Sequence, residues 1–198
     1  MSDFDPSRFR VLCVDDEPNI LSALKRMLSM QGYQVSVAET GAVALNLLGQ
    51  EKCDVIICDM RMPQMTGVEV LEQAYKVSPL TMRVLLTGAA DQHDTIEAIN
   101  RGQIYRYLGK PWNDGELLAV IRGAIEMGEI NRAKEMRLRA SYVTSIKAYS
   151  SLMALRRPDL LAHSRRVANL SRRVARKMGL DAEQVQAIYI AGLLHDVG

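Results

Sequence analysis

Short apolar runs alternate along the first 127 residues with stretches in which apolar side chains recur every three or four positions. The short runs predict strands at Arg10–Val14, Gln34–Ala38, Asp54–Cys58, Arg83–Thr87 and Ile104–Leu108. Between them, helical spacing runs through Ile20, Leu21, Leu24, Met27 and Leu28, then Val43, Leu47 and Leu48, then Val68, Leu71 and Ala74. It continues through Ile96 and Ile99, and then Leu117, Val120, Ile121 and Ala124. Gly32, Gly41, Gly67 and Gly102 punctuate the element ends.

Strands this apolar are buried on both faces, which implies a parallel sheet covered by helices. Five strand–helix units in this length predict an α/β, doubly wound, five-stranded parallel sheet of flavodoxin-like order 2-1-3-4-5. A long helical linker and an all-α fragment follow. From Asn113 to Arg157 there is no proline, and Glu126 through Lys147 is rich in good helix formers. Ala133, Met136, Ala140 and Val143 fall at roughly a/d spacing, so the linker reads either as a coiled-coil homodimer contact or as a solvated connecting helix. Pro158 suits a first helical turn, and an amphipathic helix is predicted from Leu160 to Met178, closed by Gly179. Asp181 is a candidate N-cap for a second helix from Ala182 to His195-Asp196. The expected organisation is residues 1–126, a linker at 127–156 and a helical part at 157–198.

Composition adds limits. The 198 residues are 48% hydrophobic and 24% charged, which suits a globular chain, and no apolar run approaches the ~20 residues that cross a bilayer. The N-terminus is acidic and lacks a signal-peptide core, and Cys13, Cys53 and Cys58 lie in or beside predicted strands. They read as buried thiols of a reducing compartment, so a cytoplasmic location is expected. Residues 1–120 carry 11 Lys/Arg against 16 Asp/Glu, while residues 121–198 carry 14 against 7. Such a shift suggests two units with different partners, or simply the solvated arginine faces of helices. No DNA-recognition motif is present.

The candidate chemistry lies at the C-terminal strand ends, where open α/β sheets place their sites. Asp15-Asp16 follow the first strand, Asp59 the third, Thr87 ends the fourth, and Lys110 follows the fifth. Asp16 and Asp59 offer hard oxygen ligands for Mg²⁺. Asp59 would be the nucleophile for a phosphoryl group, with Lys110 and Thr87 donating to its oxygens.

Over residues 8–127 the chain resembles the receiver domain of two-component response regulators. The matching text is Val14-Asp15-Asp16-Glu17, Asp59-Met60-Arg61-Met62-Pro63, Leu86-Thr87-Gly88 and Tyr107-Leu108-Gly109-Lys110-Pro111-Trp112. The resemblance implies phosphotransfer to Asp59 from a histidine kinase or phosphotransfer protein. It implies Mg²⁺ held by Asp16, Asp59 and the carbonyl of Arg61, with Asp15 acting through a metal-bound water. Tyr107 falls at the family's aromatic switch position, and Thr87 is its partner. Phosphorylation would draw Thr87 inward and Tyr107 after it, reshaping the face around the fifth strand and the helix of Ile96 and Ile99.

A second constellation lies near the end. Asp159 and His163 are one helical turn apart, and His195-Asp196 close the last helix. Imidazole with carboxylate suits a first-row transition metal, although a surface histidine and a helix-end pair would read the same way. Ala162-His163-Ser164-Arg165-Arg166-Val167 and Gly192-Leu193-Leu194-His195-Asp196-Val197-Gly198 resemble the opening of an HD-GYP domain. That resemblance implies a cyclic di-GMP phosphodiesterase using iron or manganese, with His163, His195 and Asp196 among its ligands. Asp159 falls where some trinuclear members place a glutamate. The later ligands and the GYP loop are not among these 198 residues, so these residues alone are expected to lack phosphodiesterase activity, and cyclic di-GMP is a ligand only of a completed output domain. The different-class alternative is a receiver-only adaptor whose helical tail serves dimerisation or partner docking.

Overall fold

The computed structural model describes residues 4–88, 103–156 and 158–195. The chain forms two compact units, Met1–Lys134 and Glu135–Gly198. The first is built from strands β1 (Arg10–Val14), β2 (Gln34–Ala38), β3 (Val55–Asp59), β4 (Met82–Thr87) and β5 (Arg106–Gly109). Helices α1 (Pro18–Met30), α2 (Gly41–Gln50) and α3 (Gly67–Val77) lie between them, and helix α4 runs from Asp114 to Arg156. The sheet is parallel with order β2-β1-β3-β4-β5, the doubly wound arrangement that the apolar strands predict.

Period-two alternation divides the strands between two cores. Val11, Cys13, Val55, Ile57, Val84 and Leu86 pack with α1 and the first turns of α4. Leu12, Val14, Ile56, Cys58 and Leu85 pack with α2 and α3. The central strands β1, β3 and β4 are therefore buried on both faces and read as near-continuous apolar runs, whereas β2 and β5 at the lateral edges are partly exposed.

Several bounds differ from the sequence pattern. β3 begins at Val55 and includes Asp59, which pairs with Leu86 in the β4 register. Asp54 precedes the strand because its carboxylate accepts from the backbone N–H of Arg10 at 2.9 Å. β5 is shorter than expected, Arg106–Gly109. The helix predicted around Ile96 and Ile99 lies outside the described residues. The long helix expected to leave the first domain is α4, continuous from Asp114 to Arg156, with i,i+4 ion pairs Arg122–Glu126 and Glu135–Arg139 along it. Of the proposed seam, Met136 and Ala140 are exposed.

In the second unit, α5 (Pro158–Lys177) and α6 (Ala182–Leu194) are joined by Gly179, whose φ of +75° suits a helix C-cap glycine. Asp181 caps α6 by accepting from the N–H of Gln184 at 2.8 Å. A Cβ on Gly192 would lie 2.7 Å from the Cα of Ala168, so the two helices cross at backbone contact. Leu161, Ala168, Ala175 and Val185 are buried. Among the described residues no helix is long and apolar enough to cross a membrane.

All three cysteines are free and buried. Burial pushes the thiols of Cys13 and Cys58 well up, and that of Cys53 up to about 12. A neutral thiol raised in the folded state stabilises fully below its ordinary value of 9.0, and that contribution is lost as pH rises toward the folded values. The chain is therefore expected to lose stability progressively above pH 9.0. Native protein at neutral pH should resist iodoacetamide until denaturant is added. Rapid alkylation of native chain, read by mass, would contradict the buried placement.

Candidate functional site

The parallel registers bring four strand ends to one edge. Val14 pairs with Cys58, Asp59 with Leu86, and Thr87 with Gly109. The residues at or just beyond these positions are Asp15, Asp59, Thr87 and Lys110. Asp15 is fully buried, and Asp59 and Thr87 are 6% and 3% exposed. Asp16, the neighbour of Asp15, is exposed at the same strand end.

Lys110 joins the two buried acids. Its Nζ donates to Asp15 Oδ2 at 2.7 Å and lies 2.5 Å from Asp59 Oδ1. Burial by itself would lower the lysine's pKa, but the hydrogen bonds and charges of Asp15 and Asp59 outweigh it, and the ammonium is held above its ordinary value. The second oxygen of each acid is fixed by local backbone. Glu17 N–H donates to Asp15 Oδ1 and Arg61 N–H to Asp59 Oδ2, both at 2.9 Å. One ammonium faces two carboxylates, so the pocket keeps a formal negative charge.

The rest of the edge holds this geometry. Met60 N–H donates to Leu86 O at 2.8 Å and Lys110 N–H to Thr87 O at 2.7 Å. The Lys110–Pro111 peptide is cis. Thr87 Oγ1 donates to Leu108 O at 3.4 Å, and Tyr107 is 48% exposed. Gly67 opens α3 against the loop, its N–H donating to Met60 O at 3.0 Å. A Cβ there would stand 2.0 Å from the Asp59 carbonyl oxygen. The sequence pattern marked Gly67 only as an element end, because that contact spans the chain between β3 and α3. Thr66 and Glu69 close a capping box at the same place.

The donor set suits Mg²⁺, which takes hard oxygens and fills its shell from one or two carboxylates, waters and phosphate oxygens. Among the described residues no group of three or more His, Cys, Asp or Glu is arranged to hold a metal ion by itself. That is compatible with an ion completed by water and a phosphoryl group rather than by a protein cage.

The tail constellation is partly described. The rings of His163 on α5 and His195 just beyond α6 have centroids 5.4 Å apart, tilted by 46°. His195 Nδ1 lies 3.0 Å from Gly192 O. A carbonyl only accepts, so Nδ1 is the donor in that contact. Asp159 is exposed one turn before His163 on α5. Asp196 lies outside the described residues.

Two charged groups escaped the sequence reading. Arg83 is 5% exposed and donates to carbonyls of Thr81, Pro79 and Gln103 while stacking over Tyr75. Asp54 is 3% exposed at the opposite edge of the sheet, 3.0 Å from Arg132 of α4. In sequence, each is one charge inside an apolar run, with no signal of its partner.

The model of the response regulator receiver domain matches residues 11–122, and that of the HDOD domain, an HD-related domain, matches residues 120–198. The signal receiver domain of an HD domain-containing protein from Pseudomonas fluorescens Pf-5 is 40% identical, with a TM-score of 0.59 over 61% of this chain and 97% of that one. A structure titled as an adenylate cyclase from Rhodopirellula baltica is 37% identical, with a TM-score of 0.63 over 66% of this chain and 96% of that one. Among curated relatives, the hydrogenase transcriptional regulatory protein HoxA of Cupriavidus necator is 36% identical over 66% of this chain. The transcriptional regulatory protein GlrR of Escherichia coli K12 is 34% identical over 68% of this chain. The chain spans only 28% and 30% of the length of those two relatives. Together with the five-stranded fold and its acidic strand-end pocket, the match over residues 11–122 makes this chain a member of the response regulator receiver family, carrying an HD-related output.

Proposed function

We propose that Asp59 accepts a phosphoryl group from a histidine kinase or phosphotransfer protein. The observation that carries this reading is the pairing of two buried carboxylates through Lys110, at 2.7 and 2.5 Å. Asp59 is positioned by Arg61 N–H with one oxygen tied, and its carboxylate is the attacking group. Lys110 neutralises charge on the entering oxygens, and Thr87 supplies a hydroxyl when it leaves Leu108 O. Asp16, Asp59 and the Arg61 carbonyl would hold Mg²⁺, with Asp15 acting through a bound water. When bound, the ion supplies charge neutralisation to the phosphoryl group. The half-exposed Tyr107 and the Thr87–Leu108 hydrogen bond fit the resting arrangement of a switch that phosphorylation reverses.

The test is incubation with acetyl phosphate and Mg²⁺. The wild-type chain is expected to gain one phosphoryl group by intact mass, and Asp59→Asn none. Equal labelling of Asp59→Asn would overturn the assignment.

For the output, we propose an HD-GYP-type site in the whole protein, hydrolysing cyclic di-GMP with iron or manganese. His163, His195 and Asp196 would be ligands, with Asp159 as a further one. The close approach of the His163 and His195 rings supports it. A receiver-only adaptor is the second reading. It is favoured by the exposed apolar residues Leu138, Tyr142, Leu152 and Leu155 on α4, which suit a homodimer contact or a partner. Metal content and cyclic di-GMP turnover of a longer chain separate the two.

A further inference from the structure

Asp54 stands at the edge of the sheet opposite the phosphoacceptor. Its Oδ2 accepts from Arg10 N–H at 2.9 Å, and its own carbonyl pairs with Met82 N–H at 2.9 Å. Its Oδ1 receives no directional hydrogen bond among the described residues. That oxygen faces two cations, Arg132 Nη1 at 3.0 Å and Lys52 Nζ at 3.7 Å. The Lys52 side chain is 73% exposed and that of Arg132 only 19%. Arg132 is therefore the cation that shares the carboxylate's burial, and Lys52 a solvated neighbour.

One turn earlier on α4, Gly128 meets the same edge. A Cβ there would stand 3.1 Å from Met82 Cγ. The first unit ends at Lys134, just past Arg132. So α4 touches the sheet edge at Gly128 and Arg132, and nothing else described fastens its root there by charge. A cleft of about 350 Å³ lined by Arg10, Glu51, Lys52 and Asp54 opens beside the pair. The pair is held by charge without directional hydrogen-bond geometry, so it lacks the extra strength of a well-aligned Arg–carboxylate contact.

We infer that Asp54 and Arg132 form a latch holding the root of the output helix on the receiver, and that Asp59 controls it through β3. Asp54 immediately precedes Val55, and Asp59 ends the same strand. The separation is roughly 16 Å at about 3.3 Å per residue. β3 is hydrogen-bonded on both sides and packed on both faces, so it behaves as one stiff element, and a displacement forced at Asp59 is felt at Asp54 rather than absorbed within the strand. The control by Asp59 rests on the proposed phosphoryl acceptance; the latch itself does not.

Hydrogen exchange read by mass spectrometry tests both parts in the full chain. Without phosphoryl donor, Arg132→Gln is expected to speed exchange across residues 126–134 by at least about tenfold, leaving β1 and β3 unchanged. Arg132→Lys should retain protection. Asp54→Asn, which keeps an oxygen for the Arg10 amide, should reproduce the Gln variant. Unchanged exchange in Arg132→Gln, or an equal rise across the sheet, overturns the latch. With acetyl phosphate and Mg²⁺, the wild type should show the same local rise. A mass gain with no change in 126–134 overturns the control by Asp59. Absence of any mass gain instead overturns the reading of Asp59 as acceptor.

Discussion

Gly67→Ala is expected to destabilise the first unit by about 3 kcal/mol, seen as a fall of roughly 10 °C in its thermal midpoint. The added Cβ would stand 2.0 Å from the carbonyl oxygen of Asp59 and 2.8 Å from its carbonyl carbon. Those are backbone atoms, so no side-chain rotation relieves the overlap. Either α3 retreats, breaking the Gly67–Met60 hydrogen bond and the Thr66–Glu69 capping box, or the end of β3 moves. Both displace Asp59, and a misplacement of about 1 Å can cost on the order of 100-fold in rate. Labelling by acetyl phosphate should therefore fall with stability. Gly49→Ala is the control. Its Cβ meets nothing within 4 Å on an exposed face of α2, so helix propensity should make it stabilising by about 0.5–1 kcal/mol. A Gly67→Ala chain that melts like wild type and labels normally would refute the close approach.

The second large effect concerns Lys110. In Lys110→Met, Asp15 and Asp59 keep their burial and lose the ammonium that bridges them. Removing one partner of a buried ion pair costs about 3–5 kcal/mol, and here one lysine serves two acids. Phosphoryl labelling should fall by about 100-fold or more, because the Lys110 ammonium no longer meets the entering oxygens. The pH dependence has a definite sign. Lys110's pKa lies above its ordinary 10.5 in the folded chain. Its contribution is therefore complete below pH 10.5 and lost as pH rises through the folded value. The stability gap between wild type and Lys110→Met should be largest at neutral pH and narrow above 10.5. A gap that is small at pH 7, measured by denaturant unfolding, would show that the lysine does not bridge the acids.

Much of this was legible in the chain because it is local. β1 and β2 have the bounds that the sequence pattern predicts: β1 is an apolar run buried on both faces, and β2 alternates Val35 and Val37 with polar Gln34 and Ser36 at the edge of the sheet. Pro158, Gly179 and Asp181 mark helix ends through fixed φ, positive φ and side-chain capping, all effects confined to a few residues. The candidate phosphoacceptor edge was also legible. A parallel sheet points all its C-terminal ends one way, so polar residues ending successive apolar runs must converge.

Other features depended on partners distant in sequence. Asp59 lies inside the β3 ladder only because Leu86 pairs with it. Asp54 leaves the strand because the amide of Arg10 claims its carboxylate, 44 residues away. How far α4 stays on the first unit was not legible either: the helix runs unbroken to Arg156, and it is the packing of Gly128 and Arg132 against Met82 and Asp54 that holds its first part there.

The sequence by itself determined a parallel sheet covered by helices and the strand ends at which Asp15, Asp59, Thr87 and Lys110 stand, because apolar runs and chain direction are properties of neighbouring residues. Only the tertiary structure decided which oxygen Lys110 holds, why residue 67 must lack a Cβ, and that Arg132 closes on Asp54. Those are distances between segments brought together by packing, and no pattern along the chain encodes a separation in space.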